Sequence, residues 1–190
     1  MDEHFQTLSS SVLASPIIWK NGYPYFIHPL TDGVPKLDHA VLKAVVRMAA
    51  ERISWDGIDT IVGIEAMGLP LTAPLSIEVN KPLCIVRKRS YGLDGEICVD
   101  QSTGYSKGAM FINDIHAGEQ VAIVDDVIST GGTLRAVING IQQAGGIILD
   151  ILTIVEKGDG MKILQLEFPN IQFQSLVRID IKDGKVIILD

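Results

Sequence analysis

Two adjacent carboxylates, Asp125 and Asp126, directly follow a run of apolar residues at 121–124. A short loop rich in hydroxyl groups and glycine comes next and opens a helical pattern; its residues are Ser129, Thr130, Gly131, Gly132 and Thr133. Glycine lets a backbone approach an anion closely, and a helix start offers unpaired N–H groups and the positive end of the helix dipole. The loop therefore suits a phosphate group. Because the two acids would repel a phosphate, we expect them to bind a neutral polyol such as ribose, rather than to be solvated acids at the end of an ordinary strand.

Residues 121–133, VAIVDDVISTGGT, resemble the motif with which type I phosphoribosyltransferases bind 5-phosphoribosyl 1-pyrophosphate (PRPP). The resemblance implies that Asp125 and Asp126 hold the 2′- and 3′-hydroxyls of the ribose. It also implies that residues 129–133 hold the 5′-phosphate.

Short apolar runs alternate with helical patterns around this motif. Such alternation predicts an α/β fold, a doubly wound and mainly parallel sheet with helices on both faces. The predicted helices are 36–53, 68–79 and 132–144, and the predicted strands are 58–64, 83–87, 121–127 and 147–155. The Asp183-Gly184 pair between two apolar runs predicts a C-terminal hairpin.

Charged residues and glycines follow four of the predicted strands, at 65–68, 87–89, 125–133 and 156–158. Ligands of parallel α/β sheets bind beyond the carboxyl ends of the strands. The sequence therefore predicts that these four segments line one binding site.

The segments at 65–68 and 87–89 are candidates for a second anion site. Ala66, Met67 and Gly68 are either an ordinary turn or a loop that resembles the pyrophosphate loop of purine phosphoribosyltransferases, in which case the Ala66–Met67 peptide is the candidate cis bond. Arg87 and Lys88 are either solvated or match a cationic pair that faces pyrophosphate. A leaving group that gains negative charge is stabilised by fixed cations.

Three further residues are assigned through the resemblance. Tyr105 would match a tyrosine of the flexible loop at approximately 89–108, or be a packing residue; Gly104 stands where adenine-specific members have glutamate. Lys157 would contact the exocyclic oxygen of a 6-oxopurine, unless Glu156 and its neighbours form only a salt bridge. Phe26 either stacks on the purine or belongs to the core.

The length of 190 residues predicts one domain, 1–190, and the resemblance adds a small hood from approximately 20–35 and 160–190. The net charge of −7 argues against a nucleic-acid partner, and no apolar run is long enough to span a membrane. Two cysteines without metal-ligand spacing indicate reduced thiols in a cytoplasmic protein, and the scattered histidines predict no protein metal site.

The resemblance covers roughly residues 23–178, through phrases such as PYFIHPLTDGVP, GIEAMG, VDDVISTGGTL and VEKG. It is strongest to the archaeal-type hypoxanthine/guanine phosphoribosyltransferase subfamily. It implies transfer of the 5-phosphoribosyl group from PRPP to hypoxanthine or guanine, with Mg²⁺ bound through PRPP, in a homodimer.

Three alternatives stay open at this point. One is an adenine or xanthine enzyme with the same mechanism. The second is a non-catalytic PRPP-sensing regulator, which would usually carry a DNA-binding extension that we do not expect here. The third is an orotate transferase, which the hood and VEKG phrases make a poorer match.

Overall fold

The computed structural model describes residues 2–20, 22–102 and 107–189. In chain order its elements are α1 (Glu3–Leu13), β1 (Ile17–Lys20), β2 (Tyr23–Phe26), α2 (Pro29–Asp32), α3 (His39–Arg52), β3 (Thr60–Ile64), α4 (Leu69–Val79), β4 (Leu83–Val86), β5 (Ile97–Ser102), β6 (Lys107–Ile112), β7 (Gln120–Ile128), α5 (Gly132–Gln143), β8 (Ile147–Lys157), α6 (Gly160–Glu167), β9 (Gln172–Lys182) and β10 (Lys185–Leu189).

Six of these strands form a central sheet in the order β10-β9-β8-β7-β3-β4. Neighbouring strands pair in parallel except β9 and β10, which form an antiparallel hairpin. The predicted doubly wound, mainly parallel sheet is therefore confirmed. Strand β7, which carries the acid pair, lies between β3 and β8 near the middle of the sheet.

The sheet is covered on both faces, as its nearly continuous apolar strands require. Helices α1, α3 and α4 pack on one face and contribute Leu8, Val45 and Leu71 to a buried cluster. Helices α5 and α6 pack on the other face together with the β5–β6 hairpin, and contribute Val137 and Leu164 to a second cluster. Among the residues that the structure describes, no helix is long and apolar enough to cross a bilayer.

Local sequence signals explain where the helices begin. The side chain of Asp38 accepts a hydrogen bond from the Ala40 N–H at 2.7 Å, so α3 starts at His39 rather than at residue 36. Helix α4 begins at Leu69 with a proline in its first turn, as predicted. Helix α5 begins at Gly132, immediately after the hydroxyl-rich loop.

The C-terminal hairpin differs from the prediction. Its Asp183-Gly184 turn is present, but β9 pairs in parallel with β8, so the hairpin extends the central sheet and is not a separate hood element. The physical reason is that β9 is buried on both sides, since Phe173 joins one apolar cluster and Leu176 the other. Strand β5 lies within the loop expected at approximately 89–108, and it pairs antiparallel with β6, which begins near the end of that loop.

Candidate active site

Strand β7 carries Asp125 and Asp126 to the carboxyl end of the sheet. Only 5% of Asp125 and 9% of Asp126 is exposed, although both are carboxylic acids. Asp125 pairs with Thr153 of β8, and the preceding Val124 pairs with Gly63 of β3. The acids therefore lie where strands on both sides hold the backbone in place.

Burial raises the pKa values of both acids. Removal from water raises the pKa of Asp125 to about 6, although hydrogen bonds with Asp126 and the charge of Lys88 oppose the rise. Burial, and then the charge of Asp125, raises the pKa of Asp126 well above its ordinary value. The two groups titrate as a pair, and a ligand that donates hydrogen bonds or brings positive charge favours their full ionisation.

The loop after β7 surrounds a cavity of about 250 Å³, which we call the loop cavity and which residues 127–134 line. Gly131 has a φ of 80°, in the left-handed region that favours glycine, and it immediately precedes the first residue of α5. Within the described chain, no side chain caps the start of α5, so its first backbone N–H groups are suited to an anion. All residues of the predicted phosphate loop, 129–133, thus line the loop cavity.

A second cavity of about 370 Å³, the acid cavity, adjoins the carboxylates. It is lined by Thr31, Asp32, Ile64, Glu65, Ala66, Met67, Lys88, Asp125, Asp126, Val127 and Thr133. The structure therefore brings Lys88 and the 65–67 turn together with the acid pair, as the sequence predicted.

Gly68 lies where the 65–68 turn meets the acid pair. A Cβ atom at this position would be 2.9 Å from Asp125 Oδ1 and 2.7 Å from the Ile64 carbonyl oxygen. Only glycine therefore lets Asp125 lie against the start of α4. The cis peptide bond in this turn is Glu65–Ala66, one bond before the predicted Ala66–Met67 bond.

Arg87 is held by a carboxylate that the sequence analysis did not assign. Arg87 Nε donates to Glu65 Oε2 at 2.9 Å, and the Lys88 backbone N–H donates to the same oxygen at 3.0 Å. The backbone bond, followed by the Arg87 interactions, lowers the pKa of Glu65. Arg87 also lies over the ring of Tyr91, 5.6 Å from its centroid. Lys88 therefore lines the acid cavity, whereas Arg87 is paired with Glu65 at its edge.

A third cavity of about 230 Å³, the aromatic cavity, adjoins the other two. It is lined by Tyr25, Phe26, Thr31, Asp32, Val127, Ser129 and Lys157. Lys157 Nζ donates to the Pro24 carbonyl oxygen at 3.0 Å, which ties the end of β8 to the N-terminal hairpin. Phe26 belongs to the buried core and also lines this cavity, so the two sequence interpretations of Phe26 are compatible. Tyr105 lies outside the described residues.

Two residues that the sequence analysis did not single out, Thr31 and Asp32, line both the acid cavity and the aromatic cavity. They belong to the short helix α2, whose ends are fixed by reciprocal bonds: His28 Nδ1 accepts from the Leu30 N–H at 3.1 Å, and Asp32 Oδ2 accepts from the His28 N–H at 3.0 Å. Burial lowers the pKa of His28, which keeps its ring neutral and able to accept this bond. In the sequence, Pro29 directly after His28, followed by the acid Asp32, could have indicated this short helix.

The three cavities share Val127 and open at the carboxyl ends of the central strands. A loop suited to an anion, a buried acid pair and an aromatic cavity with a lysine lie side by side in an α/β fold, and their chemistry fits a phosphorylated sugar next to a planar group.

Comparison with known proteins gives the family. A family model described as a phosphoribosyl transferase domain matches residues 36–165. The hypoxanthine/guanine phosphoribosyltransferase of Aciduliprofundum boonei is 48% identical over 183 residues, covering 96% of this chain and 98% of the relative. The enzyme of the same name from Ferroglobus placidus is 50% identical over 182 residues, covering 95% and 96%. The adenine phosphoribosyltransferase structure from Thermoanaerobacter pseudethanolicus superposes with a TM-score of 0.73 at 24% identity, covering 92% of this chain and 99% of that one.

The chain belongs to the phosphoribosyltransferase family, and it is an enzyme of the glycosyltransferase class. The similarity to the adenine enzyme concerns the fold alone.

Proposed function

We propose that this phosphoribosyltransferase transfers the 5-phosphoribosyl group from PRPP to hypoxanthine or guanine, giving IMP or GMP and pyrophosphate. The observation that carries the proposal is the position of Lys157 in the wall of an aromatic cavity that shares Ser129 with the loop cavity. The names of the relatives from A. boonei and F. placidus support the same substrates.

The three cavities are assigned different parts of the substrates. The loop cavity binds the 5′-phosphate through the amides and hydroxyls of residues 129–133. The acid cavity binds the ribose hydroxyls through Asp125 and Asp126, and pyrophosphate through the 66–68 turn and Lys88, with Arg87 at its edge. The aromatic cavity binds the purine between the N-terminal hairpin and β8. The shared residue Val127 supports this arrangement, because ribose must connect all three groups.

Lys157 sets the choice of base in this proposal. An ammonium group donates hydrogen bonds and accepts none, so it favours a carbonyl at C6 over an amino group. A site built around a polar group discriminates strongly against an analogue that leaves the group unpaired. Tyr25 and Phe26 supply apolar surface for the purine ring.

The reaction breaks the bond between ribose C1 and the pyrophosphate oxygen, forms a bond from C1 to a purine ring nitrogen, and releases one proton from the purine ring to solvent or to the departing pyrophosphate. The ribose gains positive charge as the leaving group departs, as in glycoside chemistry. The buried carboxylates stabilise this charge, and Lys88 stabilises the negative charge that develops on pyrophosphate. Asp125 and Asp126 are each more than nine-tenths buried, so these interactions act where water screens them little.

The acid cavity also fits a divalent cation that arrives with PRPP. Paired carboxylate oxygens suit Mg²⁺, and among the described residues no group of three or more histidine, cysteine or acidic side chains forms a metal cage. Mg²⁺ bound through PRPP would neutralise pyrophosphate oxygens.

We extend the proposal to a cytoplasmic homodimer. The free thiols of Cys84 and Cys98 agree with a reducing compartment. The exposed apolar side chains Trp19, Ile77 and Leu166 are candidates for burial between subunits. Sedimentation of the purified chain measures the oligomeric state directly.

The test of the proposed function is pyrophosphate release from PRPP, measured with hypoxanthine, guanine, xanthine and adenine. We expect hypoxanthine or guanine to give the highest kcat/KM. Faster turnover with adenine would contradict the role of Lys157 but not the family assignment, and release with none of the four bases would contradict the purine assignment as a whole.

The Asp126→Asn variant tests the role of one acid of the site. It retains the shape of the side chain but loses its charge, so we expect turnover to fall about 100-fold, the loss typical of removing one fixed electrostatic contact. Unchanged turnover in a folded variant would show that Asp126 does not bind the ribose.

A further inference from the structure

The turn between β8 and α6 packs directly against the backbone of the phosphate loop. The Gly160 N–H donates to the Ser129 carbonyl oxygen at 2.9 Å. A Cβ atom on Gly160 would be 2.7 Å from the Gly131 nitrogen and 2.8 Å from the Thr130 carbonyl carbon, and would meet the Ser129 carbonyl oxygen more closely still. Ordinary contacts of a Cβ atom begin near 3.4 Å. The two backbones therefore touch at a place where no side chain fits.

Helix α6 also packs against Gly131, through Leu164 and Gly160. The position of a Cβ atom on Gly131 lies 3.1 Å from Leu164 Cδ1 and 3.3 Å from the Gly160 carbonyl oxygen. Leu164 is fully buried, so it has little freedom to move away. The left-handed conformation of Gly131, which turns the chain into α5, is thus enclosed by α6.

We infer that Gly160 is a positioning residue for the phosphate loop. By bonding the Ser129 carbonyl oxygen, and by leaving no side chain between itself and the backbone at 130–131, it sets the direction in which the amides of residues 130–133 point. Gly160 touches no substrate itself, and it acts through the loop. The inference rests on the proposed function only in that the loop binds a sugar 5′-phosphate.

The chemistry of the loop explains why a small displacement matters. Several amides must point at one phosphate group, and misplacement by about 1 Å costs up to ~100-fold in such sites. The methyl group of alanine at residue 160 requires a shift of roughly this size, because its contacts are with backbone atoms rather than flexible side chains.

The experiment compares Gly160→Ala with Gly140→Ala. Gly140 lies in α5, and its added methyl group would meet the side-chain atoms Val99 Cγ1 at 2.6 Å and Ile112 Cδ1 at 2.7 Å, away from the loop. We expect Gly160→Ala to weaken ribose 5-phosphate binding, measured by calorimetry, by 10- to 100-fold. The KM for PRPP should rise by a similar factor, while the KM for hypoxanthine at saturating PRPP stays within about threefold. Gly140→Ala should leave ribose 5-phosphate binding unchanged.

Equal affinities of Gly160→Ala and wild type for ribose 5-phosphate would overturn the inference, as would equal losses in both alanine variants. Ribose 5-phosphate binding needs neither base nor catalysis, so an enzyme inactive with every purine would refute the proposed function without affecting this result.

A milder variant covers the case in which Gly160→Ala does not fold. Leu164→Val withdraws the Cδ1 atom that lies beside Gly131, and we expect it to weaken ribose 5-phosphate binding a few-fold. Ile141→Val makes a comparable change at a buried position that does not touch the loop, and should have no effect on binding. Equal binding by both variants would also refute the positioning role.

Discussion

The Asp125→Asn variant should be more stable than the wild type and far less active. Asp125 is 5% exposed, and burial raises its pKa to about 6 from the ordinary 3.8. The ionised form is therefore disfavoured in the folded protein, and the free enzyme carries this cost at neutral pH. Asparagine keeps the shape and removes the charge. It also removes the like charge that contributes to the raised pKa of Asp126.

The size and sign of the effect come from the difference between the folded and unfolded pKa values. A carboxyl group with a raised folded-state pKa stabilises the fold fully below its unfolded pKa, and this stabilisation is lost as pH rises through the folded value. The window therefore runs from about pH 4 to about pH 6. A difference of about 2 pKa units corresponds to up to about 3 kcal/mol in the free energy of unfolding. For a chain of this length that is roughly a 6–12 °C increase in Tm.

The assay is thermal unfolding of ligand-free wild type and Asp125→Asn at a series of pH values from 4.5 to 8. We expect the difference in Tm to be small at the acid end and largest above pH 6. Turnover should fall about 100-fold, because the charge that faces ribose is lost. A Tm difference that does not change with pH, or one of the opposite sign at pH 7.5, would refute the argument from burial.

Asp150→Asn is the matched control for this experiment. Asp150 is also 5% exposed, and burial raises its pKa to about 6, but it lies in β8 beside Gln174, away from the three cavities. It should show a similar increase in stability over the same pH window and leave turnover unchanged. A comparable loss of turnover in Asp150→Asn would mean that charge removal from this sheet, rather than contact with ribose, explains the Asp125 result.

Two further substitutions test Lys88 in the acid cavity and Lys157 in the aromatic cavity. Lys88→Met should raise the KM for pyrophosphate in the reverse reaction 10- to 100-fold, the cost of losing one charged hydrogen bond, and should shift the Asp125 stability window to higher pH because Lys88 lowers that pKa. Arg89→Met, beside it but outside the acid cavity, should leave this KM unchanged, and equal effects would contradict the role of Lys88. Lys157→Met should lower kcat/KM for hypoxanthine by about 100-fold or more with little change in the KM for PRPP. The control is Lys162→Met, which changes an exposed lysine. If both variants have the same ratio of hypoxanthine to adenine turnover, Lys157 does not recognise the base.

The parts of the site that the sequence predicted are those in which one short segment carries all the chemistry. Asp125, Asp126 and the loop at 129–133 are continuous in sequence, and apolar residues on β7 fix which end of the strand they occupy. Because ligands bind beyond the carboxyl ends of parallel strands, Lys88 and Lys157 were predicted to lie at the same edge of the sheet. The fold followed in the same way, because each strand reads as a buried apolar run followed by a helical pattern.

The parts that escaped prediction depend on contacts between distant segments. The pairing of Arg87 with Glu65 requires β3 and β4 to be neighbours, which the sequence does not state. Asp32 reaches two cavities only because α2 packs above the end of β7. The C-terminal hairpin has the same composition whether it extends the sheet or stands apart, so only the parallel pairing of β9 with β8 decides its place.

Gly160 shows how the two kinds of information combine. In the sequence it is one of two glycines after VEK, where glycine usually signals a turn. In the structure, Gly158 has a φ of 81° and takes the turn, whereas Gly160 has a different role, since its backbone lies against that of Ser129 and Thr130. Lys157 at the start of the same segment is bonded to the Pro24 carbonyl oxygen of the N-terminal hairpin. One short connection therefore carries both Lys157, which lines the aromatic cavity, and Gly160, whose backbone packs against the loop after β7.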